Sequence, residues 1–289
     1  MKLFTLFCVF YFFVSNFCTA KEVGFIVLNN GKKVYCSEII NIKNKNLKFI
    51  IKNEQKVWTI GANDYEYAQL NEAPKQLLKA KKLINLQHYN QALKIITNIE
   101  NNFYDLGWNS SILKLKAEIY FKKKKLNQAF LQLNKIILIA KEKLADKNLG
   151  KNLIYTQKKF WNHNKYSSAK LSSLMLIKSI DLECRIIGYY TLADFYQLTG
   201  KLNLASKNYM YAFIIADGNK ISPQSYTTSI MKLILQLKRE NKDFSQYIKT
   251  LKNYSLRMRN NKKVINAFIK EINKTQIDTG LQKNDKNNI

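Results

Sequence analysis

Apolar and polar positions follow two different rhythms along the chain. Between residues 23 and 60, short apolar runs are separated by polar turns, and the Asn30-Gly31 pair lies between the first two runs. Asn-Gly between such runs indicates a β-hairpin. From Pro74 to Thr275, apolar residues recur at helical intervals instead. The pattern therefore predicts four or five short strands that form a small curled sheet or barrel, followed by a long helical segment.

The predicted strands cover residues 23–28, 33–42, 47–51 and 57–60, and residues 61–70 are expected to lead into the helical part. Pro74 suits the first turn of a helix. We expect the sheet to serve as a scaffold that packs on the first helix, rather than as a ligand site.

One helical stretch, from Gly188 to Asp217, contains two helical patterns on either side of a short turn at Gly200. Small residues at Ala193, Ala205 and Ala212 let two helices cross closely, and Gly200 permits the sharp turn between them. The arrangement returns three times upstream. The equivalent alanines are Ala92, Ala129, Ala169 and Ala205, at spacings of 37, 40 and 36 residues.

Some units depart from this pattern. The turn lacks glycine in three copies, where Gln87, Lys124 and Asn164 stand near that position. A fifth unit, Ser225 to Ser255, keeps the helical period but places Tyr247 where alanine is expected. Residues 264–272 are predicted to form an end helix, because a terminal repeat faces water on one side.

The repeated unit resembles a tetratricopeptide (TPR) repeat, a helix–turn–helix of about 34 residues. The residues at the signature positions of the best-kept copy are Leu192, Ala193, Tyr196, Gly200, Leu202, Ala205, Tyr209 and Ala212. The resemblance implies a mainly α fold: a TPR-like α-solenoid of about four to five repeats, preceded by a small all-β domain. The layout of the strands is similar to that of SH3-like domains at the start of exported bacterial repeat proteins.

The beginning of the chain is typical of a secretory signal peptide. A short apolar run follows Lys2, and Cys18-Thr19-Ala20 forms a small-x-small cleavage site. The alternatives are a lipoprotein signal that uses Cys18 and an uncleaved N-terminal anchor. The expected domains are a signal peptide (1–20), a small β domain (21–70), a helical repeat domain (73–275) and a disordered tail (276–289). We expect an exported protein of a bacterial periplasm or cell envelope.

The chain is strongly basic, with 48 Lys and Arg against 20 Asp and Glu and a net charge of +28. Such a field favours acidic partners or anionic surfaces. Only four of the basic residues are Arg, the residue that reads bases and phosphates best. The scarcity of Arg and the predicted export both argue against nucleic acid as a partner. The abundance of Lys, Asn and Ile is also typical of an AT-rich genome, so part of the charge has a mutational explanation.

No pattern of catalytic or metal-binding residues stands out. The two histidines, His88 and His163, fall in separate predicted turns, and the chain lacks the common motifs for metal, phosphate or nucleophile chemistry. Cys36 and Cys184 are expected to be buried, without a disulfide. We predict a protein that is not an enzyme and that holds neither a cofactor nor a metal.

The best candidates for function lie on the first helix of each repeat, which in TPR proteins faces a concave surface. The resemblance implies a groove that binds a peptide or a partner protein, with packing between repeats as the alternative role of Phe121 and Trp161. The predicted partner-binding residues are Lys114, Phe121, Lys158, Trp161, Tyr190, Asp194 and Gln197. The predicted function is that of a protein-interaction scaffold or adaptor. The alternative is a membrane-associated factor of envelope assembly, lipidated or bound through its basic surface to anionic lipid.

Overall fold

The structure is a computed structural model, and it describes residues 23–43, 46–103, 106–142, 146–219, 222–257 and 261–284. The predicted signal peptide, including Cys18, lies outside the described residues. The strands are β1 (Gly24–Leu28), β2 (Lys33–Lys43), β3 (Asn46–Ile51), β4 (Val57–Ile60) and β5 (Tyr65–Leu70). The helices are α1 (Lys75–Asn85), α2 (Tyr89–Phe103), α3 (Asn109–Lys122), α4 (Leu126–Lys141), α5 (Leu149–Asn162), α6 (Tyr166–Ile177), α7 (Leu182–Leu198), α8 (Leu202–Gly218), α9 (Pro223–Arg239), α10 (Ser245–Arg257) and α11 (Lys262–Asn284).

The strands form one antiparallel sheet in the order β4-β3-β2-β1-β5. The predicted hairpin is present between β1 and β2, where Gly31 has a φ of 77°. The segment expected only to lead into the helices is itself a strand, because β5 returns to pair with β1. Tyr65, Ala68 and Leu70 of β5 lie in the core, and a register shift opposite Val27 and Leu28 brings Tyr65 to the same face as the other two. The sheet is thus a four-stranded meander extended by a fifth strand.

The sheet and the first helices share one hydrophobic core. Ile26, Ile39 and Leu47 of the sheet are buried in the same cluster as Ala80 of α1 and Ile96 of α2. Helix α2 contacts β2. The sheet therefore packs with the second helix as well as with the predicted first one, as a scaffold would.

The helices pair as the repeat pattern predicted. The four equivalent alanines, Ala92, Ala129, Ala169 and Ala205, are each at most 1% exposed. A small side chain lets two helices approach closely, so in these four repeats the alanine marks the point where the second helix meets its neighbours. The predicted fold class is confirmed: a small antiparallel sheet is followed by TPR-like helical repeats.

The turns inside the repeats share one conformation. In the described chain, five residues at these turns have a positive φ, between 54° and 71°. The next residue donates its N–H to the carbonyl oxygen five positions back, as in the bond from Lys125 N to Tyr120 O (2.8 Å) and from Lys201 N to Tyr196 O (2.8 Å). This is the Schellman motif that ends a helix. The residues with positive φ are Gln87, Lys124, Asn164, Gly200 and Asn241.

The C-terminal units differ from the prediction in two details. Ile248, rather than Tyr247, takes the place of the alanine in the fifth unit, because its N–H bonds to Phe244 O as that of Ala205 bonds to Lys201 O. Helix α11 continues to Asn284, so the predicted disordered tail is helical from residue 276 to that point. Residues 285–289 lie outside the described residues.

The chain divides into two compact units, residues 1–149 and 150–289. The first unit contains the sheet and α1 to α4, with the core described above. The second has its own core from α7 to α11, which includes Ile186, Tyr209, Leu233 and Ile265. The expected boundary near residue 70 is therefore not where the compact units separate.

Candidate partner-binding surface

In the first unit, the two predicted partner-binding residues, Lys114 and Phe121, lie on α3. Lys114 contacts a residue of α3 itself, and Phe121 contacts a residue of the neighbouring helix α4. The Lys114 ammonium is 3.5 Å from Glu118, one turn further along the helix. The Phe121 ring stands edge-on to Phe130 of α4, with 5.5 Å between ring centres. The charge of Lys114 is thus offset by Glu118, and part of the Phe121 ring packs within its own repeat.

In the second unit, Lys158 and Trp161 lie three positions apart on α5, which places them on one face of the helix. Lys158 is exposed and Trp161 is half-buried. The indole ring packs edge-on against Tyr166 of α6, with 5.2 Å between ring centres. This contact holds the indole in place while leaving part of its surface accessible beside a positive charge.

The three predicted residues of α7 join a polar cluster, which we call the α7–α9 cluster and which consists of Tyr190, Asp194, Gln197, Tyr209 and Lys232. Lys232 of α9 lies 2.6 Å and 2.7 Å from the two carboxylate oxygens of Asp194. Its ammonium also stands 5.1 Å from the centre of the Tyr190 ring. The ion pair with Asp194 and the contact with the Tyr190 ring together hold the Lys232 side chain in a defined position.

Tyr209 of α8 completes the cluster. Its hydroxyl group lies within hydrogen-bond distance of Asp194 Oδ1 and is 3.1 Å from Gln197 Oε1. The hydroxyl has one proton, so it donates to one of these oxygens at a time, and the charged carboxylate is the stronger acceptor. The carboxylate of Asp194 is therefore shared between a lysine and a tyrosine from two other helices.

The cluster disfavours negative charge on its tyrosines. Burial, followed by the nearby Asp194 carboxylate, raises the pKa of Tyr190 to about 12. The same two causes, in the same order, raise the pKa of Tyr209. Both phenols remain neutral hydrogen-bonding groups at physiological pH. The cluster contains hydrogen-bonding groups and ring faces, with one positive and one negative charge that offset each other.

Lys232 is not among the residues that the sequence predicted for the partner-binding surface. One lysine among many on a basic chain carries no local signal, and its partner Asp194 is 38 residues away. Tyr209 was recognised only as a packing residue of the repeat. Lys232 and Asp194 come together because α9 packs against α7.

Other candidate chemistry is sparse in the described part of the chain. No group of three or more His, Cys, Asp or Glu side chains there could hold a metal ion. Cys36 and Cys184 are buried, at 0% and 3% exposure. None of the described helices is long and apolar enough to span a membrane.

Together the helix pairs, the repeated Schellman turns and the buried alanines define a TPR-like repeat structure that follows a small β-sheet. No protein-family model matches the chain. No curated protein matches it either.

Several solved structures are similar to the chain. One is a protein of nearly identical TPR-like repeats from Podosopora anserina, described as a kinesin light chain, with 13% identity and a TM-score of 0.42 over 62% of this chain and 92% of that one. A variant of that protein with one residue substituted gives 13% identity and a TM-score of 0.43 over 62% and 91% of the two chains. BtubC (BKLC) from P. vanneervenii gives 13% identity and a TM-score of 0.46 over 65% and 77%.

Proposed function

We propose that this chain is an exported, non-enzymatic scaffold that binds a peptide or a partner protein on the first helices of its TPR-like repeats. The observation that carries the proposal is the pair formed by Lys158 and Trp161 on α5. An indole that is fixed by Tyr166 and partly accessible is a typical anchor for a partner, because it loses little conformational freedom on binding. An exposed lysine beside it selects the orientation of the partner.

The chemistry of these residues favours an acidic segment with an apolar anchor. Lys158 and the net charge of +28 attract carboxylates, whereas the α7–α9 cluster has no net charge of its own. The cluster suits neutral polar groups of the same partner. The partner is therefore expected to be acidic where it meets α5 and polar where it meets α7.

The test is a triple variant, Lys114→Ala, Lys158→Ala and Trp161→Ala, in a crosslinking and co-purification experiment from the native cell. We expect the amount of the main acidic partner to fall by about tenfold or more, because an anchor residue typically contributes most of the binding energy. Circular dichroism should show unchanged helicity.

A matched control removes two exposed lysines and one exposed aromatic ring elsewhere: Lys141→Ala, Lys249→Ala and Tyr211→Ala. It should leave partner recovery intact. Undiminished recovery with the first triple variant would show that these residues are not the binding surface.

A second candidate function is a membrane-associated factor of envelope assembly, which the net charge of +28 favours through attraction to anionic lipid. Mass spectrometry of the mature N-terminus separates the two. A chain that starts at Lys21 supports the exported scaffold, and a lipidated Cys18 supports the membrane-associated factor.

A further inference from the structure

A second surface lies at the C-terminal end of the described chain, away from the predicted residues of α5 and α7 along the sequence. It is a groove of about 760 Å³ between α10 and α11. We call it the terminal groove. It is lined by Lys252, Ser255 and Leu256 of α10 and by Lys262, Asn266, Ile269, Lys270 and Asn273 of α11.

The groove contains exposed apolar surface that does not belong to the hydrophobic core. Leu256 is 75% exposed, although α10 has a buried face formed by Ile248 and Leu251. Ile269 lies at the base of the groove and is 7% exposed. The aliphatic stems of the lining lysines add to this surface while their charged ends reach water. Leu256 is thus available to a partner without any change in the core.

Among the described residues that line the groove, every charged side chain is a lysine. Lys252, Lys262 and Lys270 line it, and none of the other described residues that line it has a carboxylate. In the described side chains, none of these lysines takes part in an ion pair with an acidic residue. Three positive charges around an apolar surface complement a segment that carries carboxylates on either side of an apolar side chain.

The shape indicates what kind of segment fits. The lining residues of α11 run from Lys262 to Asn273 on one face of the helix, which corresponds to about 17 Å of helix length. An elongated depression between two helices accommodates another helix, which inserts its apolar face. A lipid surface is flat on this scale and contacts protruding side chains rather than a recessed base such as Ile269.

We propose that the terminal groove binds an acidic amphipathic helix of a partner protein, with an apolar side chain against Leu256 and carboxylates facing Lys252, Lys262 and Lys270. This inference goes beyond the proposed function, because it names a second docking surface with different residues. A scaffold with two such surfaces would hold two segments at once.

The experiment measures binding of the full chain to a synthetic, fluorescently labelled helical peptide of about twelve residues, with glutamates on both sides of a leucine stripe. Fluorescence anisotropy gives the dissociation constant. A scrambled peptide of the same composition tests whether amphipathic order matters. We expect Leu256→Ser and Lys270→Glu each to weaken binding of the ordered peptide by about tenfold or more.

The controls are close neighbours outside the groove. Val264 is 58% exposed on α11 but does not line the groove, and Lys263 is exposed beside Lys262. Val264→Ser and Lys263→Glu should change the dissociation constant by less than about twofold. All four positions are exposed, so each variant is expected to fold, and circular dichroism checks this.

Three outcomes would overturn the proposal. The first is equal weakening by Lys263→Glu and Lys270→Glu, which indicates a general effect of net charge. The second is equal affinity for the ordered and scrambled peptides. The third is binding to phosphatidylserine-containing vesicles that depends on Leu256 while the ordered peptide does not bind, which would make the surface a membrane contact. The triple variant of α5 and α3 residues should bind the peptide normally, so failure of this proposal and of the proposed function are distinguishable.

Discussion

Asp194 receives hydrogen bonds from side chains of two other helices, so its carboxylate has a role inside the protein. The sequence predicted Asp194 to be a partner-binding residue on the first helix of its repeat. In the structure its side chain is 26% exposed, and its carboxylate is held by Lys232 and Tyr209. Its charge is therefore used within the protein, in contacts with Lys232 and Tyr209.

A double-mutant cycle tests this internal role. We expect Asp194→Asn and Lys232→Met each to lower the free energy of unfolding by about 1 kcal/mol, because either change removes the opposite charge from a partly buried ion pair. The double variant should lose less than the sum, with a coupling of about 0.5–1.5 kcal/mol for a pair that is partly screened by water. Urea denaturation provides the measurement. Additive effects would mean that the pair contributes nothing to the fold.

At the scale of elements, the repeated Schellman turn explains how helices that lack a turn glycine can still pair. A positive φ costs an L-residue about 1–2 kcal/mol, and asparagine tolerates it better than other residues. Gln87 and Lys124 hold this conformation at φ values of 63° and 58°. The turn is thus imposed by the packing of the two helices on each other, which outweighs the local preference of the residue.

Lys124→Gly should therefore stabilise the protein by about 1 kcal/mol, since glycine adopts this φ without strain. Asn164→Gly should give a smaller gain. In the reverse direction, Gly200→Ala should destabilise by about 1 kcal/mol, and through φ alone, because a Cβ there meets no atom within 4 Å. Thermal and urea unfolding of the three variants test this order. Destabilisation by Lys124→Gly would show that the lysine contributes a contact that outweighs its strain.

At the scale of the whole molecule, each compact unit has its own hydrophobic core. The core of the first unit extends from Ile26 to Ile119 and that of the second from Ile186 to Ile272, with no residue in common. The sheet belongs to the first of these cores. It packs with α1 to α3, as a terminal cap packs on a repeat array.

A core substitution in each unit should reveal this organisation. Leu47→Ala and Leu233→Ala remove fully buried side chains and should each cost about 2–5 kcal/mol. Amide hydrogen exchange should accelerate in β1 to β3, α1 and α2 for the first variant and in α7 to α11 for the second. Acceleration throughout the chain in both variants would show that the units unfold as one.

Local pattern was sufficient for the larger part of the fold. The alanine spacing predicted the helix pairs, because in four repeats a small side chain recurs where two helices approach closely. The Asn30-Gly31 pair predicted the first hairpin, because that turn needs residues that accept a positive φ. Both features depend on which residue type stands at a given position of a turn or a repeat, and so both are visible in the sequence.

Tertiary contacts decided the rest. Strand β5 exists because Ala68 pairs with Ile26, far back along the chain. Asp194 meets Lys232 because α7 packs against α9, and Leu256 lines a groove because α11 runs beside it. Contacts between residues that are far apart in the sequence leave no recognisable pattern in the local sequence. The repeats could thus be predicted from their own residues, whereas the candidate binding surfaces depend on how the helices pack.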